Sequence, residues 1–218
     1  MKWLIVTADD FGISRGINSG IVEAHLRGVV TSTSLMVDRP ASEEAVALAR
    51  QCPRLSLGLH LELDGVEPSN VPAEIERQQM RFVELVGSAP THVDTHHDLH
   101  RDPEVLTPLL AWGRRIKVPV RGHSEVRYFP KFYGRSGGET DLEQIGVDAL
   151  LRLLDEEVGE GITELNCHPG HPEAGFPSSY TAEREVEVRT LCDPKLRNKI
   201  LERGFRLMGF RDLYRSRS

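Results

Sequence analysis

Ile5-Val6-Thr7-Ala8 is a run of apolar or β-branched residues that ends abruptly at Asp9-Asp10-Phe11-Gly12. Without polar alternation, such a run predicts a strand buried on both faces, as in a parallel sheet covered by helices. Ser14 then predicts the N-cap of a helix through Ile17, Ile21 and Ala24 that stops at Gly28. The unit repeats. Residues 29–37 form a second strand, followed by Pro40 and a helix through Ala45, Leu48 and Ala49. Residues 55–60 form a third strand ending in His60, then a loop over 61–71 and a helix opening at Pro72 with Ile75, Phe82, Val83 and Val86 on one face. Residues 91–95 form a fourth strand, Asp102-Pro103 opens a helix through Leu106, Leu109, Leu110 and Trp112, and residues 116–120 form a fifth strand. Residues 121–140 carry Gly, aromatic and charged residues without a period, which predicts a substrate loop rather than an idle connection. Leu142, Ile145, Ala149, Leu153 and Leu154 mark the next helix and 162–167 a sixth strand. Two helices, near 182–191 and 194–203, and a weak seventh strand near 205–208 complete the series.

About seven βα units in alternation predict a parallel sheet closed into a TIM-like (β/α) barrel of seven or eight strands, one domain over residues 1–218. An open doubly wound sheet is the main rival, and both architectures place ligands at the carboxyl ends of the strands. Acidic residues outnumber basic ones by 33 to 27, giving a net charge of −6 without a basic stripe, which argues against nucleic acid or an anionic membrane as partner. No stretch reaches membrane-spanning length and the N-terminal run lacks a signal-peptide pattern, so the expected location is the cytoplasm. The three cysteines, Cys52, Cys167 and Cys192, show no Cys-x-x-Cys pairing and read as reduced thiols; a homodimer is an open option for the assembly. Absence of a Gly-x-Gly-x-x-Gly or P-loop sequence weakens a nucleotide reading.

The predicted strands end in Asp9 and Asp10, in His60, in the cluster His96-His97-Asp98-Leu99-His100, and in His168-Pro169-Gly170-His171. Imidazoles and a carboxylate converging on one divalent ion, with positions left for water and substrate, describe a catalytic rather than a structural site. A neighbouring carboxylate can then take a proton from water and a histidine can protonate a leaving group, so hydrolysis of an amide or ester is the natural reaction. His100, four residues after His96, is a further metal ligand or a supporting residue if one helical turn carries both, and His92 is either barrel filling or a residue behind the ligands. Arg121, Glu125, Arg127, Phe132 and Tyr133 are candidate sugar contacts in the 121–140 loop. A metal-dependent phosphoesterase or isomerase on the same barrel remains an alternative, favoured by phosphate beside Arg121 and Arg127. A non-catalytic, metal-stabilised binding protein is another, and it requires a closed coordination shell.

The stretches Thr7–Gly12, Gly58-Leu59-His60-Leu61, Thr91–His100 and Cys167-His168-Pro169-Gly170 together resemble the YdjC-like carbohydrate deacetylase family, in the same order and across most of the chain. Residues 125–144 and 164–170 resemble its hopanoid-biosynthesis-associated branch more than its chitooligosaccharide branch. The resemblance implies a TIM-like barrel, one divalent metal ion, Mg2+ or Zn2+, held by Asp10, His60 and His96, Asp9 as general base and His168 as general acid. The implied reaction removes an acetyl group from an N-acetylated sugar, a small-molecule substrate. Family members often read His-His-His-x-His where this chain has His96-His97-Asp98-Leu99-His100, and the segment between His60 and His92 is shorter than usual, which leaves the size of the accepted sugar open.

Overall fold

The structure, a computed structural model, describes residues 1–215. Its centre is β1 (Lys2–Phe11), a strand flanked on one side by β8 (Gly161–Cys167) along Lys2 to Ala8. On the other side β9 (Phe205–Leu207) pairs with the first residues of β1, and β2 (Ser32–Leu35) takes over from Thr7. Outward from β2 come β3 (Ser56–Leu61) and β4 (Val93–Thr95), and outward from β8 comes β5 (Val126–Phe129). Every pairing in this seven-stranded sheet is parallel. Beyond β4 the only neighbour among the described residues is a single bridge from Val93 to Val120, so the ladder does not run on from β4 to β5 and the architecture is a partial barrel.

Helices α1 (Arg15–Leu26), α2 (Ser42–Gln51), α3 (Val71–Val86), α4 (Pro103–Ile116), α5 (Val147–Glu157), α6 (Ala182–Leu191) and α7 (Leu196–Glu202) connect the strands, and α8 (Asp212–Arg215) follows β9. A small antiparallel pair, β6 (Arg135–Ser136) and β7 (Glu139–Thr140), lies in the long loop after β5. Ser14 caps α1 as its sequence suggests, accepting a hydrogen bond from the Ile17 amide.

The expected fifth strand over 116–120 is not formed. Ile116 remains in α4, Lys117 ends that helix at φ 58°, and Pro119 has no N–H for a ladder, so only the Val120 bridge is left. Its place in the sheet goes to Val126–Phe129, inside the stretch expected to be loop. Likewise the strand expected over 29–37 contracts to Ser32–Leu35.

Paired positions of parallel strands share a face. The outward rows, such as Leu4, Val6 and Ala8 on β1, Leu57, Leu59 and Leu61 on β3, and Leu165 and Cys167 on β8, pack with the helices in one continuous core. The inward rows are different: Thr7 and Asp9, Ser32 and Ser34, Gly58 and His60, His92 and Asp94, Glu164 and Asn166. The interior of the barrel is therefore polar towards its carboxyl end. Lower down it is sealed by Ile5, Val126, Phe210 and Leu213. No helix among the described residues is long and apolar enough to cross a membrane.

Candidate active site

A strand of period two would aim only one of two adjacent carboxylates into the barrel. Between Ala8 and Phe11 the register of β1 against β2 slips, so that three steps on β1 match two on β2, and Asp10 adopts φ 69° in the left-handed region. This bulge re-aims Asp10. Asp9 and Asp10 both line the same cleft, of about 460 Å³, with His60, Thr95, His96, His97, Asp98, Tyr128, Tyr133, Asn166, His168, Tyr180 and Arg184.

The two carboxylates are held by different cations. Arg121 donates to both oxygens of Asp9, Nη1 to Oδ2 and Nη2 to Oδ1, each at 2.7 Å, and Ser34 Oγ adds a bond of 3.2 Å to Oδ1. The same guanidinium reaches Glu164 Oε1 at 2.9 Å and Asp94 Oδ2 at 2.8 Å, so a fully buried arginine ties three carboxyl groups together. Burial pushes the Glu164 carboxyl up, against the downward pull of Arg121. Asp10 instead binds Arg184 through Oδ2. Burial pushes Asp10 up, but Arg184, His60 and His168 outweigh it and hold the carboxyl well below the usual range. Arg184 also donates to the backbone oxygens of Tyr180 and His168, joining Asp10 to the His168 loop.

His60 places Nδ1 2.6 Å from Asp94 Oδ1 and Nε2 3.4 Å from Asp10 Oδ1. A ring nitrogen facing a carboxylate calls for a positive charge between them, either a proton on Nε2 or a metal ion with Asp94 orienting the ring from behind. The electrostatics agree: burial alone would lower the His60 pKa, yet Asp94, Asp10 and Asp9 raise it well above the usual value. His96 stands edge-on to His60 with ring centres 5.7 Å apart, and its Nδ1 lies 3.2 Å from Asp64 Oδ2, which leaves Nε2 as its remaining nitrogen. Asp10, His60 and His96 all line this cleft and offer donor types that a divalent ion takes, a carboxylate oxygen and two imidazole nitrogens. Among the described residues, the triplets whose donor atoms all lie within 4.8 Å of one another are instead Asp9, His60 and Asp94, and Asp64, His96 and His97. In the first triplet, however, Asp9 and Asp94 already engage Arg121, and Asp94 engages His60.

His168 Nε2 lies 3.9 Å from Asp9 Oδ2, its Nδ1 has no hydrogen-bond partner, and its ring abuts those of Tyr133 and Tyr180. Burial lowers its pKa against the opposing pull of Asp10 and Asp9. Its backbone amide donates to Glu187, which also accepts from Tyr180 Oη and is pushed up to about 7 by burial.

Sequence reasoning brings Asp9, Asp10, His60, His96 and His168 to this cleft, and all five line it. His100 and His92 do not. The turn that would put His96 and His100 on one face is broken by His97 and Asp98, both left-handed at φ 54° and 55°; His100 bonds Thr95 Oγ1 and burial lowers its pKa to about 4. His92 stacks on Phe210 at 4.0 Å and fills the space that Gly58 leaves, where a Cβ would come within 2.4 Å of the ring. Of the five expected sugar contacts only Tyr133 lines the cleft. Arg121 lies beneath it, Phe132 is buried in the core, Arg127 binds the Glu160 carbonyl, and Glu125 borders a separate hollow of about 600 Å³ between α4 and the C-terminal residues. Asp94, Glu164, Arg184 and Glu187 escape the sequence reading. The first two had a signal, since each shares strand parity with a strand-end histidine; the two on α6 had none.

The YdjC-like protein family model matches residues 3–70 and 64–202. A carbohydrate deacetylase of Geobacillus stearothermophilus is 33% identical, the match covering 98% of this chain and 99% of that protein. A chitooligosaccharide deacetylase of Serratia marcescens is 34% identical, over 97% of this chain and 99% of that one. Among solved structures, an Enterococcus faecalis V583 protein described as a "putative cellobiose-phosphate cleavage protein" superposes with a TM-score of 0.85 at 28% identity, covering 97% of this chain and 98% of its own.

Proposed function

Because the chain belongs to the YdjC-like protein family, we propose that its cleft removes an acetyl group from an N-acetylated sugar, releasing acetate and a free amine. The observation that carries this reading is the bulge at Asp9 and Asp10. It turns two neighbouring carboxylates into one cleft and gives them separate partners, Arg121 for one and His60 with Arg184 for the other. Two acids in distinct environments take distinct roles.

Asp10, His60 and His96 would hold one divalent ion, Mg2+ or Zn2+. Bound there, such an ion acidifies a water molecule and polarises the acetyl carbonyl. Asp9, oriented by the Arg121 fork, accepts the proton of the attacking water. A neutral His168 must receive a proton before it can give one, and Asp9 Oδ2, 3.9 Å from Nε2, is placed to pass it on. Nε2 then protonates the departing amine nitrogen as the carbon–nitrogen bond breaks. Tyr133, stacked on Tyr180 at 4.8 Å and 40% exposed, offers an aromatic face beside His168 for the sugar ring. A phosphoesterase would need a free cation beside the metal, but Arg121 is saturated by carboxylates, Arg127 lies outside the cleft, and the two arginines that line it are paired, Arg184 with Asp10 and Arg101 with Asp98.

The test is acetate release from N-acetylated mono- and oligosaccharides and glycolipid headgroups by metal-stripped enzyme, with single metals added back. Stripped enzyme should be inactive, one metal should restore it, and Asp9→Asn should lower kcat about 10²–10⁴-fold with metal still bound. Full turnover without metal would overturn the mechanism.

A further inference from the structure

The rim of the cleft carries a second group of cation-binding atoms. Asp64 offers one carboxylate oxygen to each of two adjacent imidazoles, Oδ2 at 3.2 Å from His96 Nδ1 and Oδ1 at 2.7 Å from His97 Nδ1. Sequence neighbours in an extended strand point apart, but His97 and Asp98 are both left-handed. The turn brings the His96 and His97 rings together at 3.7 Å. Two imidazoles and one carboxylate form a donor set suited to Zn2+, Ni2+ or Co2+ and poorly suited to Mg2+, which prefers oxygen ligands. The His97 side chain is 66% exposed and that of Asp64 46%, so an ion can reach them from solvent.

We propose that Asp64, His96 and His97 form a second, solvent-facing site for a divalent transition-metal ion, and that filling it takes His96 away from the inner site. A neutral imidazole presents one bare nitrogen at a time. While Asp64 accepts Nδ1–H of His96, Nε2 is bare and serves the inner ion. An ion at the rim needs Nδ1, so the ring proton moves to Nε2; no proton is released, and Nε2 is closed to the inner ion. His97 makes the same tautomer change. Excess zinc therefore inhibits a Mg2+- or Zn2+-loaded enzyme. That consequence rests on the function proposed above, whereas the rim site itself does not.

Two measurements test the proposal. Apo His60→Ala, which lacks an inner ligand, is titrated with Zn2+ against a chromophoric chelator and should bind one equivalent; adding His97→Ala should weaken binding at least about tenfold. Separately, wild type and the His97→Ala variant, altered only at an exposed side chain, are assayed at fixed inner-metal loading with rising Zn2+. With each protein's rate normalised to its own value without added Zn2+, the zinc concentration for half inhibition should rise about tenfold or more in the variant. Equal affinities in the first pair overturn the rim site, as does a folded His60→Ala protein that binds no Zn2+. Coincident inhibition curves overturn the competition for His96. None of these results bears on deacetylation itself, which fails if metal-loaded wild type releases no acetate from any of the N-acetylated substrates.

Discussion

The two faces of the same strands behave as different materials. On β3, Leu57, Leu59 and Leu61 point outward into a dry core shared with the helices, while Gly58 and His60, between them, point into an interior of charges and hydroxyl groups. The outward face is held by surface removed from water, which is non-directional and tolerates change of shape within limits. The inward face is held by charge pairing in a medium that hydrates poorly, where each group depends on a named partner. Stability is thus spread over the outer rows and function concentrated in the inner ones, on backbones that cannot be separated.

Removing the cation at the centre of the inner face should break this division most severely. Arg121→Met leaves Asp9 and Asp94 buried without their shared partner, and breaking such a network costs about 3–5 kcal/mol. Urea unfolding should show that loss, and the folded fraction should turn over far more slowly because Asp9 is no longer oriented. A variant of wild-type stability would mean the inner charges are hydrated and the contrast between the faces is false.

The outer face predicts the opposite separation. Leu59→Ala, at a fully buried position one residue from His60, should cost about 2–5 kcal/mol through lost burial and a cavity. Metal affinity and kcat of the folded protein should stay within about threefold of wild type. A parallel collapse of kcat would show that the outer packing sets the cleft geometry directly.

What the sequence reveals follows the same line. The outward rows are apolar and periodic, so the order of strands and helices is legible, and so are the strand-end residues Asp10, His60, His96 and His168. The inward partners are harder to see because their meaning is relational. Arg121 reads as a sugar contact in the 121–140 loop until the Val93–Val120 bridge places it under the cleft beside Asp9. On α6, the sequence Ala182-Glu-Arg-Glu-Val-Glu-Val-Arg-Thr-Leu191 is half charged, yet Glu183, Arg184 and Glu187 are buried along with Val188, Thr190 and Leu191, because the three charged groups serve Arg135, Asp10 and His168. The bulge at Asp10 leaves only a weak mark in residue type, since aspartate tolerates a positive φ but adopts ordinary turn and strand conformations as well. Where hydrophobicity decides, pattern suffices; where one charge answers another across more than a hundred residues, it does not.

His92 offers a finer test, because it is an ionisable group that the inner face keeps neutral. Burial lowers its pKa from 6.5 to about 4, with Asp94 pulling upward and Arg121 downward. Thr91 Oγ1 donates to the Leu57 carbonyl, so it accepts from His92 Nδ1–H, and Nε2 is left bare towards Asp94. The folded state then binds fewer protons than the unfolded chain between pH 6.5 and about 4, and stability contributed at neutral pH is lost as pH falls through that window. Between pH 7 and pH 5 the loss from this residue should be roughly 2 kcal/mol. In urea unfolding across that range, His92→Gln should flatten the pH dependence by about this amount relative to wild type. Identical slopes would mean that His92 takes up its proton inside the fold, and that the polar interior of the barrel can accommodate a new charge beside Arg121 after all.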